Sequence, residues 1–275
     1  MIAFGGSSRQ SLVVLRQQLD KSLAQLLAND CTAISDDLFN ALAVLDSSAS
    51  LRRALTDPAR DGESKSALIE DLFSASLGAP AVALLRFAST LRWSSPSQLS
   101  DAIEQVAVEV EATAANLTNQ LDQVQSDLFA FSKILLDSPE LRRAFNASDD
   151  SPAHKQDLLV DLFAKVYVNS SVRLLSQLLR GFRGRNIEST LAAYTHAITA
   201  RLNRVNVHVK SAIALSDSQR SKLSAALTKQ IGKPIHLNME IDPSVVGGVS
   251  VRFADEVIDG TIVNRLAEAR DAVVG

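Results

Sequence analysis

Cysteine is almost missing from this sequence. Cys31 stands alone in 275 residues, so no intrachain disulfide and no thiolate metal cluster can form. Its neighbours Asp30, Thr32 and Ala33 bring no base or cation, and the thiol reads as partly buried and inert. Charge of one sign is missing too. The 28 basic and 31 acidic side chains leave a formal charge of -3 and no third of the chain with the excess that a phosphate backbone needs, so no nucleic-acid partner is expected. Met1-Ile-Ala-Phe-Gly-Gly has neither a basic nor an apolar leader segment, and no secretory signal is expected. No stretch reaches the roughly 18 apolar residues that a membrane-spanning helix requires. His154, His196, His208 and His236 lack metal-ligand spacing, and neither G-x-S-x-G nor G-x-x-x-x-G-K occurs. Catalytic, cofactor-binding and metal-binding residues are therefore all expected to be absent, and the chain reads as cytosolic unless a partner holds it at a membrane.

What is present is a repeat. Laid on itself at an offset of 90, the chain matches without gaps, and 14 of the 38 positions from 36 to 73 are identical to their counterparts. Asp37-Leu38-Phe39 falls on Asp127-Leu128-Phe129, and Leu51-Arg52-Arg53-Ala54 falls on Leu141-Arg142-Arg143-Ala144. Lys65 meets Lys155, and Asp71-Leu72-Phe73 meets Asp161-Leu162-Phe163. The register survives two expected loops, so a whole domain is duplicated.

Each copy reads as a helical bundle. Leu128, Phe131, Leu135 and Leu136 recur at spacings of three and four, one apolar stripe on a helix. Ser138-Pro139-Glu140 and Ser151-Pro152 open further helices, with Ser as cap and Pro in the first turn. The pattern predicts a helix from Val172 to Leu179 stopping near Gly181 and Gly184, then another from about Glu188 to Leu202. The first copy starts with a helix around Ser11 to Leu27. Arg180-Gly-Phe-Arg183-Gly-Arg185 reads as a solvated basic loop, and Arg52-Arg53 and Arg142-Arg143 as bundle salt links or solvated faces.

The composition then changes. Val205, Val207 and Val209 alternate with polar residues, the period of a half-buried strand. Ser216-Asp-Ser-Gln219 is a capping box that opens a helix ending at Gly232-Lys-Pro234. Residues 235–241 alternate again, and Gly247-Gly248 leads into residues 249–253. A hairpin tip is expected at Asp255-Glu256 and a last helix from about Thr261 to Val273. The predicted fold is mainly α with a small C-terminal α+β domain. Two tandem helical bundles, residues 1–107 and 108–204, precede a short-stranded sheet with two helices in residues 205–275.

The tail carries a resemblance. Asp242, Pro243, Val245, Val246, Gly247, Gly248, Val249, Val251, Asp255, Ile258 and Asp259 follow the C-terminal pattern of F-type ATP synthase delta subunits. The mitochondrial counterpart is the oligomycin-sensitivity-conferring protein. The strand 205–209, the helix start at Leu215, and the Asp-Ser-Pro-Glu-Leu-Arg and Lys-x-x-Leu-Leu-x-x-Leu-Phe stretches of the second copy are also similar to that family. Ala254 stands where the family commonly has glycine, and Thr261 where it often has serine. Residues from about 108 onward resemble an ordinary member, and residues 1–107 an extra copy of its helical domain.

The resemblance implies a non-catalytic peripheral-stalk subunit without cofactors. It would link the catalytic head to the membrane-anchored b-type stalk and resist rotor torque during ATP synthesis. Implied partners are N-terminal helices of the alpha subunits, the C-terminal ends of b-type stalk subunits, and neighbouring beta subunits. The implied location is the cytoplasmic side of the cell membrane, peripheral and held there through the complex. Leu84, Leu85 and Phe87 in the first copy, and Leu174, Leu175, Leu178 and Leu179 in the second, are the head-groove candidates. A helical scaffold unrelated to ATP synthase is the competing reading; it accounts for the bundles but not for the Gly-Gly tail.

Overall fold

Helix starts follow the caps written in the sequence. In the structure, a computed structural model, the described residues are 4–147, 151–201, 205–231, 235–243, 245, 249–253 and 256–259. Eleven helices lead: α1 Gly6–Leu23, α2 Ala28–Ser47, α3 Ala49–Thr56, α4 Gly62–Phe73, α5 Ala79–Thr90, α6 Pro96–Leu117, α7 Leu121–Asp137, α8 Pro139–Asn146, α9 Pro152–Phe163, α10 Asn169–Leu179 and α11 Ile187–Arg201. Ser48 and Ser138 cap α3 and α8, accepting from the amides of Leu51 and Leu141. Asp61 and Ser151 do the same for α4 and α9 through Ser64 and His154. Each side-chain cap of this kind contributes about 1 kcal/mol. The repeat thus preserves the punctuation of the helices as well as their apolar faces.

At the offset of 90, α1 corresponds to α6, and α6 in turn corresponds to α11. One helix therefore closes the first copy and opens the second. The expected division at 107/108 falls inside it, and the helix runs unbroken from Pro96 to Leu117. A helix enclosed by two bundles has no solvent face, and α6 is buried nearly all round. Leu99, Ile103, Val106 and Val110 fill its contacts, and small Ala102, Ala107 and Ala114 let neighbours approach. On α2, the Ser35 hydroxyl donates to the Ala107 carbonyl at 3.0 Å. The counterpart α1 has neighbours on one side only. It exposes Arg9, Gln10, Val13, Gln17 and Lys21 where α6 buries Leu99, Ser100, Ile103, Ala107 and Glu111. A polar outer face is what the first element of a repeat array needs.

The two copies form one compact unit, residues 1–198, and residues 199–275 form a second. The second unit contains β1 Val205–Ser211, α12 Asp217–Ile231, β2 Ile235–Ile241, β3 Val249–Phe253 and β4 Glu256–Asp259, with strand order β2-β1-β3-β4. β1 and β2 pair in parallel from Val205↔Ile235 to Ser211↔Ile241, so α12 is the crossover of a βαβ unit. β3 runs antiparallel to both β1 and β4. The expected capping box forms: the Ser216 amide donates to Gln219 Oε1 at 2.9 Å, and the Gln219 amide to Ser216 Oγ at 3.3 Å. Val207, Val209, Leu227 and Val251 make the core between α12 and the sheet. The expected last helix lies outside the described residues.

Candidate functional site

Three buried carboxylates on α6 organise the first unit. Glu109 is fully buried and accepts from Arg16 Nε of α1 at 2.9 and 3.1 Å. Glu111 faces Arg173 Nε of α10 at 3.4 Å, and the same guanidinium pairs with Asp36 of α2. Glu104 accepts from Arg185 at 2.6 and 2.7 Å and from Arg183 at 3.3 Å. Arg183 also reaches Asp46 at 3.1 Å and Asp101 at 3.0 Å.

The expected solvated loop is therefore a correction. Its Arg183 and Arg185 side chains are only 12% and 19% exposed. They turn inward because Glu104 of α6 would otherwise be a buried carboxylate without a partner. Arg183 takes the left-handed backbone conformation at φ 54°, and Gly184 follows at φ 77°. A non-glycine residue holds that geometry at a cost of order 1 kcal/mol, offset here by three carboxylates on one guanidinium. Phe39 and Tyr194 pack beside this cluster with ring centroids 6.3 Å apart. Burial pushes the Glu104 carboxyl above its ordinary range, against the pull of Arg185 and Arg183. Burial likewise raises Asp46 and Asp101 despite Arg183. The Tyr194 phenol is raised well above 10 by burial and then by the Glu104 charge.

The repeated Asp-Leu-Phe has a role that the sequence pattern did not disclose. Asp37 Oδ2 accepts from the Gly78 amide at 2.8 Å, and Asp127 Oδ2 from the Val168 amide at 3.0 Å and the Ser171 hydroxyl at 2.7 Å. Gly78 and Val168 are the N-cap residues of α5 and α10. Each aspartate is thus a helix cap delivered from 41 residues away, and it ties the second helix of its copy to the fifth. Burial, then the Asp127 charge, pushes the Tyr167 phenol up to about 12.

Leu84 and Leu85 lie inside the first copy, and Leu174, Leu175, Leu178 and Leu179 inside the second; all six are buried. Phe87 is half-buried. Of the tail residues, Asp242 accepts from Lys210 Nζ at 3.3 Å, while its amide donates to the Ser211 carbonyl at 2.9 Å. The Val245 amide closes a turn onto the Asp242 carbonyl at 3.0 Å, and Pro243 is exposed on that turn. Val251 fills the sheet core. Ile258 and Asp259 lie in β4, opposite Val251 and Ser250. Val246, Gly247, Gly248 and Asp255 lie outside the described residues. Cys31 is fully buried. Among the described residues no cluster of His, Cys, Asp or Glu is placed to hold a metal, and no helix is long and apolar enough to cross a membrane.

A bundle repeated about one shared helix, joined to a small βαβ-containing unit, defines a mainly α protein of two compact parts. The family described as ATP synthase delta (OSCP) subunit matches residues 109–273. ATP synthase subunit delta of Streptomyces coelicolor is 38% identical over 269 residues, covering 98% of each chain. That of Thermobifida fusca is 37% identical over 270 residues, covering 98% of this chain and 99% of its own. The chain belongs to the ATP synthase delta (OSCP) subunit family. The relatives match through the first copy as well, whereas the family match begins inside α6.

Proposed function

We propose that this chain is the non-catalytic connector of an F-type ATP synthase peripheral stalk. The first unit seats on the catalytic head, against N-terminal helices of alpha subunits with beta subunits as neighbours. The second unit receives the end of a b-type stalk helix. The whole is held on the cytoplasmic side of the cell membrane through these partners. The single observation that carries this reading is family membership across nearly the full length, both helical copies included.

The shared helix suits the task. A stator must transmit torque without bending, and one continuous α6 leaves no hinge between the copies. On α5, Ala83 and Thr90 are exposed. Their counterparts, Arg173 on α10 and Arg180 just after it, are engaged with α2 through Asp36 and Asn40. This favours the first copy, around α5 and Phe87, as the head-binding surface. Burial of Leu84 and Leu85 makes them supports of that surface and not its exposed contacts.

Crosslinking tests this assignment. Cysteines are placed singly at Ala83 and Val172 in the assembled complex, with Cys31 buried and silent. The alpha-chain N-terminus should be labelled from position 83 in preference to 172. Labelling from 172 alone assigns the head to the second copy. Labelling from neither contradicts helix-on-helix docking at these faces.

A further inference from the structure

The two copies differ sharply at one place. In the second, Lys155 donates to the Ala147 carbonyl and lies under the Phe182 ring, 5.8 Å from its centroid. In the first, the counterpart Lys65 is 6% exposed and its ammonium makes no hydrogen bond or ion pair among the described residues. Position 92, the counterpart of Phe182, is arginine, and position 60, the counterpart of Asp150, is also arginine. Instead of a closed contact there is a cleft of about 980 Å³, lined by Arg53, Arg60, Lys65 and Arg92 with Asp57 as the one carboxylate. Four cations against one anion leave three net positive charges. Asp57 is turned to its own loop, where Oδ1 accepts from the Ala59 amide at 2.8 Å.

The cleft is anchored on both sides. The Ser11 hydroxyl donates to the Arg92 carbonyl at 2.6 Å, and the Ser94 amide donates to Ser8 Oγ at 2.7 Å, fixing the segment that carries Arg92 to α1. Ser95 and Pro96 in the lining are the N-terminus of α6, where no backbone amide of the first turn donates to the Ser95 side chain and the first turn holds no acidic residue. The Lys65 stem is covered while its ammonium reaches the cleft wall, and guanidinium forks beside a helix N-terminus match phosphate oxygens. We propose that this cleft of the first copy binds a phosphate-bearing anion of two or more negative charges, with Lys65 and Arg92 as its principal contacts. An acidic peptide is the alternative occupant: its carboxylates are singly charged and spread along a backbone, whereas one phosphate-bearing group brings two or more charges to the same cations.

Trp93 is the only tryptophan and lines the same cleft, so its emission reports on occupancy. The full-length chain is titrated with pyrophosphate at low ionic strength, by fluorescence and by calorimetry. Saturable one-site binding that weakens with salt is expected. Arg92→Phe, which restores the side chain of the second copy at an exposed position, should weaken binding about tenfold or more, as should Lys65→Gln. Arg143→Ala, the counterpart of Arg53 in the second copy, should leave it unchanged. Thermal melts of each variant separate lost binding from lost folding. Sedimentation with phosphatidylcholine vesicles, with and without cardiolipin, separates the sources. Arg92-dependent capture by cardiolipin assigns a lipid headgroup, and pyrophosphate binding without capture assigns a free anion. No saturable binding at millimolar pyrophosphate overturns the proposal. So does equal affinity in folded Arg92→Phe, or tighter binding of an oligoglutamate peptide through the same residues.

Discussion

Arg185→Gln is the most informative single perturbation of the first unit. It removes the two short charge-assisted bonds to Glu104 and leaves Arg183 as the remaining cation, at 3.3 Å. The Glu104 side chain is 3% exposed, so water cannot replace what is lost. Breaking a buried pair from one side costs about 3–5 kcal/mol; with Arg183 still in place, about 2–3 kcal/mol is expected at neutral pH. The loss should depend on pH in a definite direction. Burial already holds the folded Glu104 carboxyl above its ordinary 4.5, and Arg185 is the strongest influence pulling it back down. Without Arg185 the folded pKa rises further. A raised folded pKa means the native state binds protons more tightly than the unfolded chain, so stability falls as pH climbs from 4.5 towards that value. The penalty of the substitution should therefore be small near the unfolded pKa, grow as pH rises, and level off above the new folded value. Urea unfolding of wild type and variant, followed by circular dichroism across this range, measures it. A penalty below about 0.5 kcal/mol at neutral pH, or one independent of pH, refutes the view that this ion pair stabilises the first unit.

Three other outcomes follow from the same geometry. Glu111→Gln isolates a second buried carboxyl of α6, raised by burial against the Ser170 hydroxyl and the Arg173 charge. Its stability relative to wild type should shift in the variant's favour as pH rises from about 4.5 through the folded value, read from paired unfolding curves. Asp127→Ala removes the distant cap of α10 together with its bond from Ser171, and should cost about 1–3 kcal/mol, more than Asp37→Ala, which loses one bond. Paired melting curves decide the order. Ala107→Leu forces α2 off α6 and should destabilise by about 1–3 kcal/mol, with hydrogen exchange speeding up in both copies and not in one alone.

Much of this architecture was legible in the sequence, because helix caps and apolar periodicity are local. Ser138, Ser151 and the Ser216 box do in the structure what their spacing implies. The Val205–Val209 alternation became a central strand with Val207 and Val209 buried. The sharing of α6 was harder to read, although the offset that maps 6–23 onto 96–113 also maps 96–113 onto 186–203. Dividing the chain at 107 treated as two ends what is one helix. Its carboxylates were the obstacle: Glu104, Glu109 and Glu111 look like a solvent face, and only distant arginines show that they are not. Arg183 and Arg185 were misread for the same reason, since a basic loop is indistinguishable from a buried one until its acids are in place. Asp37 and Asp127 were visible as a repeat but not as caps, because their partners lie 41 residues on. The head-groove leucines mark the limit of periodicity: a stripe shows which residues are apolar, not which of them meet a partner.

The stator role itself is tested most directly in inverted membrane vesicles from cells lacking this chain. ATP-driven proton pumping is measured before and after the purified chain is added back. ATP hydrolysis without pumping is expected in its absence, and coupled pumping on its return. Full pumping without the chain would contradict the stator role.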